Sequence, residues 1–222
     1  MKILKLSSIL AVALLLFTSC SDDDVPQLEP VEAQRVSNLH APQTGGTGQG
    51  PISGEFTKFD FSTGETTTSE TEWDIAFRGT TIIVNGGQSQ GATDEPNRTG
   101  NAAAYIVESD FVSVVNINEE SFAQDTQAAL AITPLSDMGW YNYSGPPNPN
   151  VPNSNLVTPI SGRVLVFRTR EGRYAKMEIL SYYRDNPTAS ELMNFTDMMK
   201  LTEARYYTFN YVFQPNQGET TF

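Results

Sequence analysis

Residues 163–183 constrain the fold of this chain more than any other stretch. Arg163-Val-Leu-Val-Phe-Arg168 is a β-branched and aromatic run, Glu171-Gly172 supplies turn chemistry, and Tyr174–Tyr183 follows as the return strand of a hairpin. In that return strand Ala175, Met177 and Ile179 share one face while Lys176 and Glu178 share the other. A period of two fits a half-buried antiparallel strand and does not fit a helix.

Weaker versions of the same signal run through the rest of the chain. Phe56, Phe59 and Phe61 flank polar residues ahead of a Ser62-Thr63-Gly64 turn. Glu72–Val84 reads as two strands broken near Gly79 and closed by Asn85-Gly86-Gly87. Tyr105–Val107 and Val112–Ile117 are short strand candidates, and Tyr206–Phe213 is a final strand. Residues 88–101, polar and glycine-containing, read as a surface loop, and the proline-rich stretch Ser144–Pro159 as another. Asn118 followed by Glu119-Glu120 predicts a helix start, with about two or three turns through the residues that follow. No internal repeat is visible. The pattern predicts an all-β fold, a single antiparallel β domain over residues 51–222 with one or two short helices.

The N-terminal residues predict an address. Lys2 and Lys5 precede an apolar run, Ile9–Phe17, which is too short to span a bilayer as a mature helix, and Thr18-Ser19 lead into Cys20. Cys20 is the only cysteine, so residues 1–19 read as a lipoprotein signal peptide with Cys20 as the lipid anchor; a simple secretory signal with an incidental cysteine is the alternative. Asp22-Asp23-Asp24 resemble the acidic export tag of some surface lipoproteins, and read equally as a solvated charge run. Residues 20–50, with Pro26, Pro30, Pro42 and a glycine-rich end, read as a flexible tether. The expected location is the outer membrane, lipid-anchored and facing the cell exterior.

Charge and histidine content exclude several functions. A net charge of −12 and a pI near 4.4 argue against nucleic acid as a partner, which needs a basic footprint. With one histidine, His40, the chain cannot build a His-based triad or a His-rich zinc site without a second chain. The carboxylate pairs Glu119/Glu120 and Asp94/Glu95 sit in polar contexts where charge is expected, and no nucleophile elbow, phosphate-binding loop or metal motif is present. A binding protein, not an enzyme, is the expectation.

Several local features occur in a telling order: Trp73-Asp74-Ile75-Ala76, Asn85-Gly86-Gly87, Gly139-Trp140, the hairpin of residues 163–183, and Tyr207-Thr208-Phe209-Asn210-Tyr211. As an ordered set over most of residues 54–214, they resemble the HmuY family of outer-membrane haem-binding lipoproteins. The resemblance implies an all-β fold, a cleft for haem, delivery of that haem to an outer-membrane receptor, and iron held between two histidines or two methionines. It also implies where those ligands belong. One lies shortly after the Gly-Trp pair, which here is Ser144-Gly145; the other lies near Ser113, and nothing between Tyr105 and Asp137 is a histidine or methionine. The usual iron-ligand positions are thus not preserved. Trp73 and Trp140 read as core anchors.

Other thioethers could stand in, since thioether is a soft ligand suited to haem iron. Met138 precedes the Gly-Trp pair, and Met193, Met198 and Met199 lie in an insertion, Asn186–Ala204, between the last two strands. That insertion reads either as a lid over a cleft or as a helix packing its Met and Leu side chains on the sheet. Met177 reads as core and His40 as a solvated tether residue. Tyr141, Tyr143, Tyr182 and Tyr183 could contact a macrocycle and Arg163 and Arg168 could pair with its carboxylates, although each also reads as ordinary sheet surface or core. The expectation is a surface lipoprotein that captures haem or a related tetrapyrrole for an uptake receptor, through Met138, Tyr143, Met193, Met198 and Met199, with Met138 and Met193 on the metal. The alternative is a binding or accessory module of an uptake complex that keeps the fold and has lost the haem site.

Overall fold

In the computed structural model, which describes residues 27–46, 49–151 and 153–222, strands dominate. In chain order they are β1 (Ala33–His40), β2 (Thr44–Gly46), β3 (Gly50–Ser53), β4 (Thr57–Asp60), β5 (Glu65–Thr67), β6 (Ile75–Arg78) and β7 (Thr81–Val84). There follow β8 (Ala103–Glu108), β9 (Tyr141–Tyr143), β10 (Val157–Pro159), β11 (Arg163–Arg168), β12 (Tyr174–Tyr183) and β13 (Ala204–Gln214). Two short helices, α1 (Ala189–Leu192) and α2 (Asp197–Thr202), lie between β12 and β13. The strands form a five-stranded sheet in the order β1-β13-β12-β11-β8, a four-stranded sheet β5-β4-β6-β7, and the ribbons β9-β10 and β2-β3, with every pairing antiparallel. The all-β expectation holds.

The two larger sheets face each other across an aromatic core. Phe59 meets Phe209 edge-on at 5.5 Å and Tyr211 at 5.8 Å, Phe61 lies 5.2 Å from Phe167, and Phe77 lies 4.9 Å from Tyr207. The two edge-to-face contacts of Phe59 add stability beyond their buried area. The β11/β12 hairpin has the bounds read from the sequence, with Ala175, Met177 and Ile179 between the sheets. Its other face is not open, however. Residues 109–122 cross over it, and Val164 and Val166 pack under Val114, Phe111, Phe122 and Phe222. Lys176 is buried there, its Nζ donating to the carbonyls of Phe111 (2.9 Å) and Val114 (2.7 Å) beneath the rings of Phe111 and Phe222.

That crossing corrects two sequence readings. Val112–Ile117 forms no strand: Val114 turns its carbonyl to Lys176 and its side chain onto Val164 and Val166, and the backbone of Val115 and Ile117 bonds to Phe222 and Thr220, leaving a 3-10 turn at Phe111–Ser113 and an isolated bridge, Asn116↔Thr221. The helix expected after Asn118 is a single 3-10 turn, Glu119–Ser121, in which the Asn118 side chain accepts from the Glu120 amide. Helix growth stops because Ala123 exchanges two backbone hydrogen bonds with Ala104 and the Asp125 carboxylate receives the amides of Val84 and Ala131.

A third correction concerns the tether. Residues 1–19, Cys20 and Asp22–Asp24 lie outside the described residues. Within the rest of 20–50, β1 pairs with β13 from Ala33↔Val212 to His40↔Tyr206, so sheet structure begins well before residue 51. Leu39 and Ala41 are buried, and Asn38, at φ 59° on a bulge, exchanges two 2.7 Å hydrogen bonds with Asp185. Among the described residues no helix is long and apolar enough to cross a membrane.

The sequence motifs turn out to be polar joints. Asp74 accepts from the amides of Phe61 and Arg170, and the Arg170 guanidinium bridges Asp74 (3.2 Å) and Asp60 (3.1 Å). Burial raises the Asp74 carboxyl above its ordinary value despite these contacts. Burial also works against the charged form of Asp60, but hydrogen bonds from Ser62 and Arg170 outweigh it and leave that carboxyl lowered. Asn85 ties the carbonyls of Thr71 and Trp73 to the amides of Thr99 and Gly100. Gly86 is required by close approach: a Cβ there would lie 1.9 Å from the Ala102 carbonyl oxygen. Residues 88–101 form a loop, as read, yet the Arg98 side chain is only 2% exposed and bridges the equally buried Glu95 (2.6 Å) and Asp125 (2.9 Å).

Candidate functional site

The segments carrying the candidate ligands meet at one end of the sandwich. Trp140 plugs that end, 1% exposed, with its Nε1 donating to the Thr80 carbonyl and its ring packed on Tyr141, Tyr182 and Tyr207. Gly139 lets the turn before it close, since a Cβ would lie 2.1 Å from the Thr133 carbonyl oxygen. Met138 sits on this turn with its side chain 62% exposed. Its carbonyl and those of Asp137 and Gly139 accept from Arg163, which also pairs with Glu108 at 2.9 Å.

Tyr143, on β9, is held from both sides: its amide donates to Ser136 Oγ and its hydroxyl to Asn155 Oδ1. Burial pushes its phenol above the ordinary value. Lys200 of α2 donates to the carbonyl of the neighbouring Ser154 at 2.7 Å. The Ser154-Asn155 turn therefore links Tyr143 to the insertion.

Each insertion helix has its own cap. Thr188 and Glu191 form a capping box on α1, and the Thr196 hydroxyl accepts from the Met199 amide on α2. Leu192 and Phe195 face inward, Phe195 meeting Tyr183 edge-on at 5.7 Å. The other apolar side chains face outward, with Met193 64% exposed, Met198 67% and Met199 38%, joined by Leu201. The reading in which the insertion packs its methionines and leucines on the sheet therefore holds for Leu192 alone.

Beside α1 and α2 lies a groove of about 340 Å³ lined by Phe195, Met199, Pro187 and Arg184, with Asp185, Glu191 and Asn194. Met138, Tyr143, Met193 and Met198 do not line it. Arg184 pairs with Glu203 at 3.0 Å and also stands 3.8 Å over the Tyr206 ring, on which His40 is stacked at 4.4 Å. His40 is thus a strand residue next to this groove, not a tether residue. Burial, then the charges of Arg184 and Arg205, lower its pKa and favour the neutral imidazole. Sequence reasoning missed it because the signal is a pairing of β1 with the distant β13.

Several expected contacts are committed elsewhere. Tyr141, Tyr182 and Tyr183 are 8%, 5% and 2% exposed and belong to the core; burial raises the Tyr182 and Tyr183 phenols. Arg168 donates to Asn101 and covers Phe122, so neither it nor Arg163 is free for a carboxylate ligand. At the position implied for one iron ligand, Ser144 donates to the Asn153 carbonyl; at the other, Ser113 ends the 3-10 turn on the far face of the five-stranded sheet. A larger groove, about 700 Å³, mixes Thr66–Thr68, Lys58, Glu70, Asp94 and Asn97 with Phe56, Pro42 and Pro96, and offers no thioether or imidazole to an iron. The donors around the smaller groove, thioether and neutral imidazole, do suit haem iron, and Arg184, which pairs with Glu203 through Nε alone and is 45% exposed, suits a carboxylate through its terminal nitrogens.

A family model described as HmuY protein matches residues 54–196, well over half of the chain. Similar solved structures include the apo HmuY analogue of Tannerella forsythia, 13% identical, covering 85% of this chain and 99% of that one with a TM-score of 0.46. Another is a Bacteroides vulgatus protein provisionally described as HmuY-like and haem-binding, at 16% identity, 84% and 93% coverage and a TM-score of 0.43. A third is a Bacteroides fragilis protein provisionally described as a lipoprotein, at 15% identity, 84% and 90% coverage and a TM-score of 0.41. No curated protein matches the chain.

Proposed function

The chain belongs to the HmuY family, and from that premise we propose that it binds haem or a related tetrapyrrole at the cell surface and passes it to an outer-membrane uptake receptor. The observation that carries this reading is Met199 on the wall of a groove shared with Phe195 and Arg184, with Met193 and Met198 exposed on the same insertion. In a chain of net charge −12, a cluster of exposed thioethers beside an aromatic ring and a guanidinium is the surface that most resembles a ligand site. Phe195 would contact the ring system, Arg184 a carboxylate, and the insertion methionines or Met138 the iron. His40 adds a neutral nitrogen donor on the same side. In this reading Cys20 carries the lipid, the protein is a carrier and not a catalyst, and it faces the cell exterior.

A second reading, a binding module of an uptake complex without haem, is favoured by Ser144 and Ser113 at the usual ligand positions, each engaged in local structure.

Visible-absorption titration of residues 27–222 with ferric and ferrous haem separates the two. A saturable one-to-one Soret shift, lost when Met138, Met193, Met198 or Met199 is changed to Ala or when His40 is changed to Ala, supports the carrier and identifies its ligands. A saturable shift that survives every such change supports a groove that holds the macrocycle without these donors. No saturable shift in either redox state overturns the haem reading.

A further inference from the structure

At one edge of the five-stranded sheet, β8 is left half-paired. Its inner side is hydrogen-bonded to β11, with Val107 opposite Val164 and Tyr105 opposite Val166. On its outer side Ala104 exchanges both backbone hydrogen bonds with Ala123, at 2.8 and 3.1 Å. Hydrogen-bonding direction alternates along an antiparallel strand, so the N–H and C=O groups of Ile106 and Glu108 point the same way as those of Ala104. The Ser109 amide bonds to the Gly162 carbonyl on the β11 side, which confirms this alternation. Among the described residues nothing pairs with the backbone of Ile106 or Glu108 on the outer side.

The segment that would have continued the pairing turns away. Antiparallel to Ala104↔Ala123, the partner of Ile106 would be Ser121 and that of Glu108 would be Glu119, but these residues close the 3-10 turn. A slot of about 430 Å³ remains between this edge and the crossing segment, with Ile106, Val107, Val115, Asn116 and Ser121 among its walls. Val115 is 45% exposed and neighbouring Val112 78% exposed, so apolar side chains are available along an open backbone edge. Asp110 and Glu120 are exposed around it, as is Glu108, whose carboxylate pairs with Arg163 through one oxygen and stays largely open to solvent.

We propose that this edge is a docking site for an extended segment of a partner polypeptide, which adds to the sheet as a strand beside Ile106 and Glu108. Open sheet edges recruit strands in this way, through main-chain hydrogen bonds for affinity and alternate side chains for selectivity. The chemistry of the slot specifies the occupant. Its central residues are β-branched, to pack on Val107 and Val115, and its flanks are Lys or Arg, to meet Glu108, Asp110 and Glu120. Beyond the Ala104 pair the free edge, from Ile106 to Glu108, is about 7 Å long, so a docked strand places about three residues against it and extends past both ends. This inference does not depend on the haem reading.

The test is amide hydrogen exchange on the full chain, with and without a synthetic peptide of about seven residues that alternates valine and threonine between terminal lysines. In the free protein the amides of Ile106 and Glu108 should exchange like loop amides while those of Tyr105 and Val107 stay protected. At about millimolar peptide the first pair should slow by at least tenfold. Glu108→Pro, which removes one outward N–H and leaves the β11 ladder intact, should weaken peptide binding by about tenfold, while Glu108→Gln should weaken it only in low salt. Protected Ile106 and Glu108 amides in the free protein, no slowing with peptide, or unchanged binding by a folded Glu108→Pro protein would each overturn the proposal. Concentration-dependent protection without any peptide would also overturn it, because a second copy of this chain would then be the occupant.

Discussion

The imidazole of His40 lies flat on the ring of Tyr206, with centroids 4.4 Å apart and planes 11° from parallel. The Arg184 guanidinium stands over the same ring at 3.8 Å, so one tyrosine couples the histidine to the Met199 groove. Because His40 is the only histidine, its ring protons give one unambiguous NMR titration. Its midpoint should fall below 6.5, and Arg184→Met should raise it. As pH falls from about 6.5 through the folded midpoint, the unfolded chain gains a proton before the folded one does, so stability drops over that window. His40→Phe keeps a ring on Tyr206 and should flatten this part of the stability–pH curve.

Arg170 neutralises two carboxylates at once. Arg170→Met should cost about 3–5 kcal/mol in urea unfolding, because Asp60 and Asp74 are left buried without their cation. Asp60, held below 3.8, contributes stability that is present above that value and lost as pH falls through its folded pKa. In the Arg170→Met protein that acid-side contribution should be reduced. An unchanged acid limb would mean the Ser62 contacts alone hold Asp60 down.

Two glycines should resist even a methyl group. Gly86→Ala drives a Cβ against the Ala102 carbonyl and Gly139→Ala against that of Thr133, both backbone atoms with no easy retreat. Each should destabilise by about 2–3 kcal/mol, measurable as a lower denaturation midpoint with an unchanged slope.

Peroxide should sort the methionines by exposure. Met138, Met193 and Met198 should form sulfoxides first, Met199 more slowly, and Met177, fully buried, last, as read by peptide mass mapping. Saturating haem should protect whichever of the exposed four binds iron. Equal oxidation with and without haem would remove all of them as ligands.

What could be read from the sequence was what is local. The β11/β12 hairpin was legible because its alternation and its turn lie within 21 consecutive residues, 163–183. β1 was not, because it contributes only Val36 and Leu39 to the core and its partner β13 lies at the opposite end of the chain. Val112–Ile117 has strand composition, but the Val114 carbonyl serves Lys176, a buried charge whose demands no periodicity reveals. The candidate ligands divide the same way. Met177 was correctly read as core from strand parity, whereas the outward turn of the insertion methionines depends on Leu192 and Phe195 taking the inward positions. Tyr141, Tyr182 and Tyr183 looked available because an aromatic in a strand does not say which sheet face it serves.

The buried trio of Glu95, Arg98 and Asp125 has a bearing on how this chain can change over evolutionary time. Residues 88–101 have the composition of a freely varying loop, yet the trio fastens them beneath the surface. Replacing Arg98 alone strands two carboxylates in a dry site; replacing either acid alone leaves the guanidinium overcharged for its surroundings. Substitution of all three together by apolar residues of similar volume escapes both penalties. The three positions should therefore be inherited as a unit, and a descendant lineage that loses the arginine should have lost both acids with it.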